Sequence, residues 1–203
     1  LRDPVFVHKD LIQKKKEPID NNFNLKKYDY FLSIGRLTKQ KNFIFLLKCF
    51  SIIIKDHKDI KLAIIGVGEE KNQINNYIKT NNLEDNVILL GYQNNVYKYL
   101  KNSKAFILSS LWEDPGFVLI EAMATNCLVL SSDCPNGPKE IIENKNGLLF
   151  KSNSESDFIL KFNQMLNLSE TEKKEFQINA KKKIKIFSIF NHFKQLQKII
   201  SNY

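Results

Sequence analysis

The chain has 203 residues, 43% hydrophobic and 26% charged, which excludes collagen-like, mucin-like and wholly disordered chains. At this length folding buries roughly 70% of the unfolded surface, enough for one domain with its own core. Lysine and arginine number 31 against 22 acidic residues, a net charge of +9, which permits anionic partners without selecting one.

Residues 1–24 mix a short apolar run, a lysine run and Glu17-Pro18, and read as a linker with one short helical turn. Regularity begins with Tyr28–Ile34, an aromatic and β-branched strand closed by Gly35. Asn42 is positioned to cap a helix running to about Asp56. The alternation then repeats, with strands at 61–66, 86–91, 105–109, 127–131 and 147–150. Helices are predicted at 69–81, 94–102 and 117–125, a short one opens at Pro138, and helical patterns fill 154–166, 169–185 and 189–201. Six strands, apolar along their length, alternate with helices. That pattern predicts an α/β fold: a Rossmann-like doubly wound parallel sheet with helices on both faces. Ligands of such sheets sit beyond the carboxyl ends of the strands, near the topological switch point. The loops after Ile34, Ile65, Leu90, Ser109 and Ser131 are therefore the ones to examine.

Gly35–Asn42 places Arg36 and Lys41 in one loop before a helix, which suits a diphosphate. Arg2 and Arg36 are the only arginines in a lysine-rich chain, so an arginine here points to bidentate geometry. A turn with two solvated basic side chains fits the same residues. Gly66-Val67-Gly68 lacks the third glycine of a dinucleotide fingerprint and reads as a tight turn. Trp112–Ala124 carries Glu113 in a loop and Glu121 about one turn into a helix, across a Pro-Gly turn. Its backbone N–H groups could meet phosphate oxygens and its carboxylates could accept from hydroxyls; solvated glutamates near a helix start fit equally. Trp112 reads as a packing residue, and Asp133 and Asn136 as makers of turn hydrogen bonds.

Other chemistries lack residues. Cys49, Cys127 and Cys134 form no disulfide framework, which suits a reducing compartment. His8, His57 and His192 have no metal spacing, and the chain has no Asp-x-Asp pair. No stretch reaches the ~18 apolar residues of a membrane span. There is no signal peptide, and a start at Leu1 leads to the expectation of an excised domain.

Together these segments resemble the retaining glycosyltransferases of family 4, which have the GT-B fold, and match their C-terminal domain. The carrying residues are Ser33-Ile34-Gly35-Arg36-Leu37 with Lys41-Asn42, Ile65–Gly68, Leu90-Gly91-Tyr92, Glu113–Ala124, Ser132–Ile141 and Asn146-Gly147-Leu148. Many members read Glu-Gly-Phe at the first glutamate; here it is Glu113-Asp114-Pro115-Gly116, with the spacing to Glu121 kept. The resemblance implies a nucleotide-sugar donor domain over 25–187. A helix over 188–203 would pack on an N-terminal, acceptor-binding domain that these residues do not include. Arg36 and Lys41, beside Gly35, would hold the diphosphate and stabilise the leaving group. Glu113 with the backbone of Gly116 and Phe117 would touch the sugar, the Val118 and Leu119 N–H groups the phosphates, and Glu121 the ribose hydroxyls. Gly91, Tyr92 and Val96 would line the base.

The implied reaction transfers a hexose or N-acetylhexosamine from a UDP-sugar to a glycan or lipid-linked acceptor, with retention and without cofactor or metal. The implied setting is bacterial surface-polysaccharide synthesis in the cytoplasm, at the inner face of the membrane, where a basic residue adds ~1 kcal/mol. The alternative is a non-catalytic nucleotide- or nucleic-acid-binding α/β module. It accounts for the charge but leaves the paired glutamates without a role, and the lysines are not interleaved with aromatics as in nucleic-acid surfaces. A nicotinamide dehydrogenase would need a full glycine fingerprint in the first βα unit.

Overall fold

A computed structural model describes residues 4–19, 25, 30–143 and 145–201. Six strands form one sheet: β1 (Tyr30–Ile34), β2 (Lys61–Ile65), β3 (Val87–Gly91), β4 (Ala105–Leu108), β5 (Leu128–Ser132) and β6 (Leu148–Phe150). Their order is β3-β2-β1-β4-β5-β6, with every neighbouring pair parallel. The chain winds outward from β1 to β3, then returns to lay β4 on the other side of β1. The switch point is thus the crevice between the carboxyl ends of β1 and β4.

Nine helices are described: α1 (His8–Lys14), α2 (Phe43–Asp56), α3 (Lys71–Thr80), α4 (Tyr97–Asn102), α5 (Phe117–Ala124), α6 (Pro138–Ile141), α7 (Glu155–Leu166), α8 (Glu170–Ile184) and α9 (Ile189–Ile200). Strand alternation divides the core in two. Phe31, Leu62, Ile64 and Ile107 face α2, α3 and α7. Tyr30, Leu32, Ala63 and Ile65 face α1, α4, α5 and α8. On the first face Phe158 lies edge-on to Phe150 at 5.0 Å between ring centroids and stacks on Phe162 at 5.9 Å.

Element boundaries depart from the sequence expectation where side chains close turns. Helix α4 starts at Tyr97 rather than 94, because Asn95 Oδ1 accepts from the Tyr97 N–H at 3.1 Å and holds the preceding residues in a turn. Helix α3 starts at Lys71 rather than 69, because the Glu70 N–H is drawn to the Leu37 carbonyl at 2.9 Å. Asn42 does not cap α2 through its side chain. It takes a left-handed conformation, φ 54°, and its N–H closes a 3₁₀ turn onto Lys39 O, a backbone state asparagine tolerates. Within the expected linker the helix is longer than one turn and docked. Leu11 of α1 is buried, and the Val5 N–H donates to Phe187 O at 2.9 Å. The predicted strand start at Tyr28 and the linker residues 1–3 and 20–24 lie outside the described residues.

Phe158 is fully buried within the aromatic cluster, whereas Leu160, two positions on, is 62% exposed. Phe158→Ala is expected to lower unfolding free energy by about 3–5 kcal/mol and Leu160→Ala by less than ~1 kcal/mol, measured by urea denaturation.

Candidate functional site

Two loops meet at the switch point, 35–42 after β1 and 109–116 after β4. Lys41 Nζ lies 2.5 Å from Glu113 Oε1, and the Lys41 and Glu113 side chains are only 14% and 5% exposed. Ser110 Oγ donates to the same Oε1 at 2.5 Å. Backbone ties hold the loops in register. The Leu111 N–H donates to Gln40 O at 2.8 Å, Gln40 Nε2 to Trp112 O at 2.9 Å and Ser109 Oγ to Lys41 O at 2.8 Å. The β5–α6 loop braces the second of them, since the Glu113 N–H donates to Pro135 O at 3.1 Å.

The 35–42 loop is held from the other side by the turn after β2. Leu37 N donates to Val67 O at 2.9 Å. Gly66 sits at φ +151°, and a Cβ there would stand 1.9 Å from Gly35 O. The two-glycine turn therefore serves close backbone approach rather than a dinucleotide.

Helix α5 opens at Gly116, whose φ of 84° is left-handed and reverses the chain so that the helix start faces the crevice. The Leu119 N–H is already engaged by Gly116 O at 3.0 Å, so among the described residues the open amides of this turn are those of Phe117 and Val118. Leu119 itself is buried, and Phe117 is exposed. One turn on, Glu121 Oε1 accepts from Tyr97 Oη at 3.1 Å. Burial pushes the Glu121 carboxyl above the ordinary carboxylate range, while the Tyr97 hydroxyl and the Lys14 ammonium pull it down.

The remaining predicted residues flank this core. Arg36 is exposed, and no described residue forms an ion pair with it. Gly35 lies against the aliphatic stem of Lys41, 3.1 Å from where its Cβ would be. Gly91 is left-handed at φ 65°, Tyr92 is 71% exposed, and Val96 precedes α4. The structure thus brings Lys41 and Glu113 into contact and sets Glu121 with Tyr97 as a second cluster.

Trp112 is not a core residue: its side chain is 47% exposed, and its carbonyl accepts from Gln40 Nε2. Asp133 reaches beyond its own turn, accepting from the Ser152 N–H of the loop after β6 at 2.8 Å and pairing with Lys139 of α6 at 3.2 Å. Sequence reasoning passed over Ser110, Tyr97 and Lys14. Adjacent serines directly after a strand were a usable signal for Ser110; nothing in the local pattern marked the other two. Burial pushes the Cys49 and Cys127 thiols up to about 12, which keeps them protonated and unreactive. Among the described residues no three His, Cys, Asp or Glu side chains gather as a metal site, and no helix is long and apolar enough to cross a membrane. A cavity of about 570 Å³ opens at the other end of the sheet, lined by Lys15, Phe31, Lys101, Asn126 and Leu128, away from the crevice loops.

A six-stranded parallel sheet in this order, with a charged crevice at its switch point, is the architecture of the C-terminal domain of a GT-B glycosyltransferase. The family model described as Glycosyl transferases group 1 matches residues 14–183, and the chain belongs to that family. It is 42% identical over 134 residues to an uncharacterized glycosyltransferase of Methanocaldococcus jannaschii, covering 65% of this chain and 33% of the relative. It is 34% identical over 159 residues to the Campylobacter jejuni N-acetylgalactosamine-N,N'-diacetylbacillosaminyl-diphospho-undecaprenol 4-alpha-N-acetylgalactosaminyltransferase, covering 78% and 42%. The crystal structure of a Staphylococcus aureus TarM variant with Fondaparinux, alpha-GlcNAc-glycerol and UDP superposes with a TM-score of 0.77 at 28% identity, covering 87% of this chain and 36% of that one. The chain therefore spans less than half the length of these relatives.

The Lys41–Glu113 pair should behave as one unit. Lys41→Met and Glu113→Gln are each expected to cost about 3 kcal/mol or more, as when one partner of a buried pair is removed. The double variant should cost clearly less than their sum, read from a double-mutant cycle in urea.

Proposed function

We propose that this chain is the donor-binding half of a glycosyltransferase that moves a hexose or N-acetylhexosamine from a UDP-sugar to a glycan or lipid-linked acceptor with retention. The observation that carries this reading is the Lys41–Glu113 contact at the switch point, with the Gly116 turn and Glu121 behind it on α5. Arg36 and Lys41 take the diphosphate, and the open Phe117 and Val118 amides add neutral donors at the helix start. As the bond between the sugar C1 and the β-phosphate oxygen breaks, its electron pair goes to the diphosphate. Fixed cations are most effective against charge that develops there, typically ~3–4 kcal/mol for each donor removed. Glu113 accepts from the donor sugar and Glu121 from the ribose, while Gly91, Tyr92 and Val96 line the base. Positive charge comes from side chains, so the reading uses no metal and no cofactor.

The relatives support this assignment. One acts, by its name, on a diphospho-undecaprenol-linked sugar, and the TarM structure holds UDP. We assign acceptor binding to a preceding domain and the end of the chain, 188–203, to contact with it. Phe190 and Phe193 of α9 are 71% and 56% exposed, an apolar face that suits cover by another domain. The +9 charge suits a peripheral place at an anionic cytoplasmic membrane face, in surface-polysaccharide synthesis.

Calorimetric titration with UDP, GDP and ADP tests the donor reading. UDP is expected to bind most tightly, with binding lost in Arg36→Ala and Glu121→Ala and a shallow dependence on salt. Full retention of UDP binding in both variants would remove the assignment, and a steep salt dependence would point to the nucleic-acid alternative.

A further inference from the structure

We infer that Tyr97 is a positioning residue for the ribose-gripping carboxylate: its hydroxyl holds Glu121 Oε1 and leaves Oε2 to accept from the nucleotide's ribose. The inference deepens the reading of Glu121 given above and rests on it.

The geometry has three parts. First, the Tyr97 Oη to Glu121 Oε1 bond of 3.1 Å joins α4 to α5, so the orientation of the carboxylate depends on an element other than its own helix. Second, Tyr97 is itself placed. Its N–H donates to Asn95 Oδ1 at 3.1 Å, and Asn95 Nδ2 donates to Lys14 O at 2.8 Å. The Lys14 ammonium stands 5.9 Å from the Tyr97 ring centroid, within cation–π range. Third, the charged groups facing this pair are Lys14 and Asp10, both from α1. The segment ahead of the sheet therefore contributes, after burial and Tyr97, to the electrostatics of a donor-site carboxylate.

The arrangement has a chemical purpose. An ionised carboxylate is acceptor-only, which is what two ribose hydroxyls require, whereas a protonated one carries a competing donor. Glu121 is half-buried, and burial favours the protonated form. A phenol donor and a nearby ammonium counter that without a direct ion pair that would occupy both oxygens. Burial and Glu121 also push the Tyr97 phenol up, so it stays a donor throughout the neutral range.

Two readouts separate positioning from simple packing, because Tyr97→Phe keeps the ring. In the chain labelled with ¹³C at glutamate carboxyls, the Glu121 titration midpoint is expected to rise in Tyr97→Phe. It should also rise in Lys14→Met, which acts from the other side. In calorimetry the chain is expected to prefer UDP over 2′-deoxy-UDP by about tenfold or more, the scale of a hydrogen bond to a charged group. That preference should shrink to a few-fold in Tyr97→Phe and vanish in Glu121→Gln. An unmoved midpoint overturns the inference, as does a preference abolished by Glu121→Gln but untouched by Tyr97→Phe. A preference that survives Glu121→Gln removes the ribose reading itself, and binding of neither nucleotide removes the donor reading, each taking this inference with it.

Discussion

The site depends on one contact, Lys41 Nζ to Glu113 Oε1 at 2.5 Å. It joins the loops that leave the two central strands in opposite winding directions. Loops of this kind share no ladder, so something other than sheet hydrogen bonding must fix their separation. A desolvated ion pair does so best when further hydrogen bonds satisfy its lone pairs, and Ser110 Oγ supplies one on the same oxygen. Around it, backbone ties from Gln40, Leu111 and Ser109 carry register, while the pair carries direction. The neighbouring turns then have little freedom. The Gly66 turn presses on Gly35 from one side, and Pro135 holds the Glu113 N–H from the other.

The second cluster is built on a different principle. Glu121 belongs to a helix whose inner face is fully committed to the core: Leu119, Ile120, Ala122 and Met123 are all buried. Only the edge position remains for a polar side chain, and α4 supplies the neighbour at that edge through Tyr97. Lys14 reaches the same place because Leu11 anchors α1 in the core beside α4. Packing thus delivers one charged residue to the site although the segment carrying it lies ahead of the sheet in sequence. On the proposed reading the contribution of α1 to the site follows from where its single buried leucine docks it.

Much of the fold was legible because the strands are short continuous apolar runs, the helical repeats are periodic, and both are closed by clear turn residues. Gly35, Gly66 and Gly91 end β1, β2 and β3 within a residue of expectation. Ser169 and Glu172 form a capping box that opens α8 one residue after its expected start. Legibility failed where a side chain overruled the pattern. Asn95 delays α4, and Asn42 uses its backbone rather than its amide. At the site, residues on strand-end loops could be named, since topology sends those loops to one place. Tyr97 and Lys14 could not, because their roles come from helix docking, which no local spacing encodes. Trp112 lies on the same loop pair, with its carbonyl accepting from Gln40 and its side chain about half exposed.

Charge in this chain is abundant, but the crevice uses it sparingly. Lys41 is compensated by Glu113, whereas among the described residues none forms an ion pair with Arg36, exposed at the loop surface. On the proposed reading an incoming nucleotide sugar must therefore divide an existing pair rather than fill an empty cation. The diphosphate competes with Glu113 for Lys41, and a sugar hydroxyl must take over Glu113. Neither exchange is favourable alone: phosphate binding would leave a buried carboxylate uncompensated, and a hydroxyl is a poor substitute for an ammonium. Made together they balance, because the donor carries both groups at a fixed separation. On that reading a free diphosphate makes only half of that exchange and binds less tightly than the intact sugar nucleotide. On the proposed reading the Lys41–Glu113 contact that organises the crevice is also the one the donor sugar takes over.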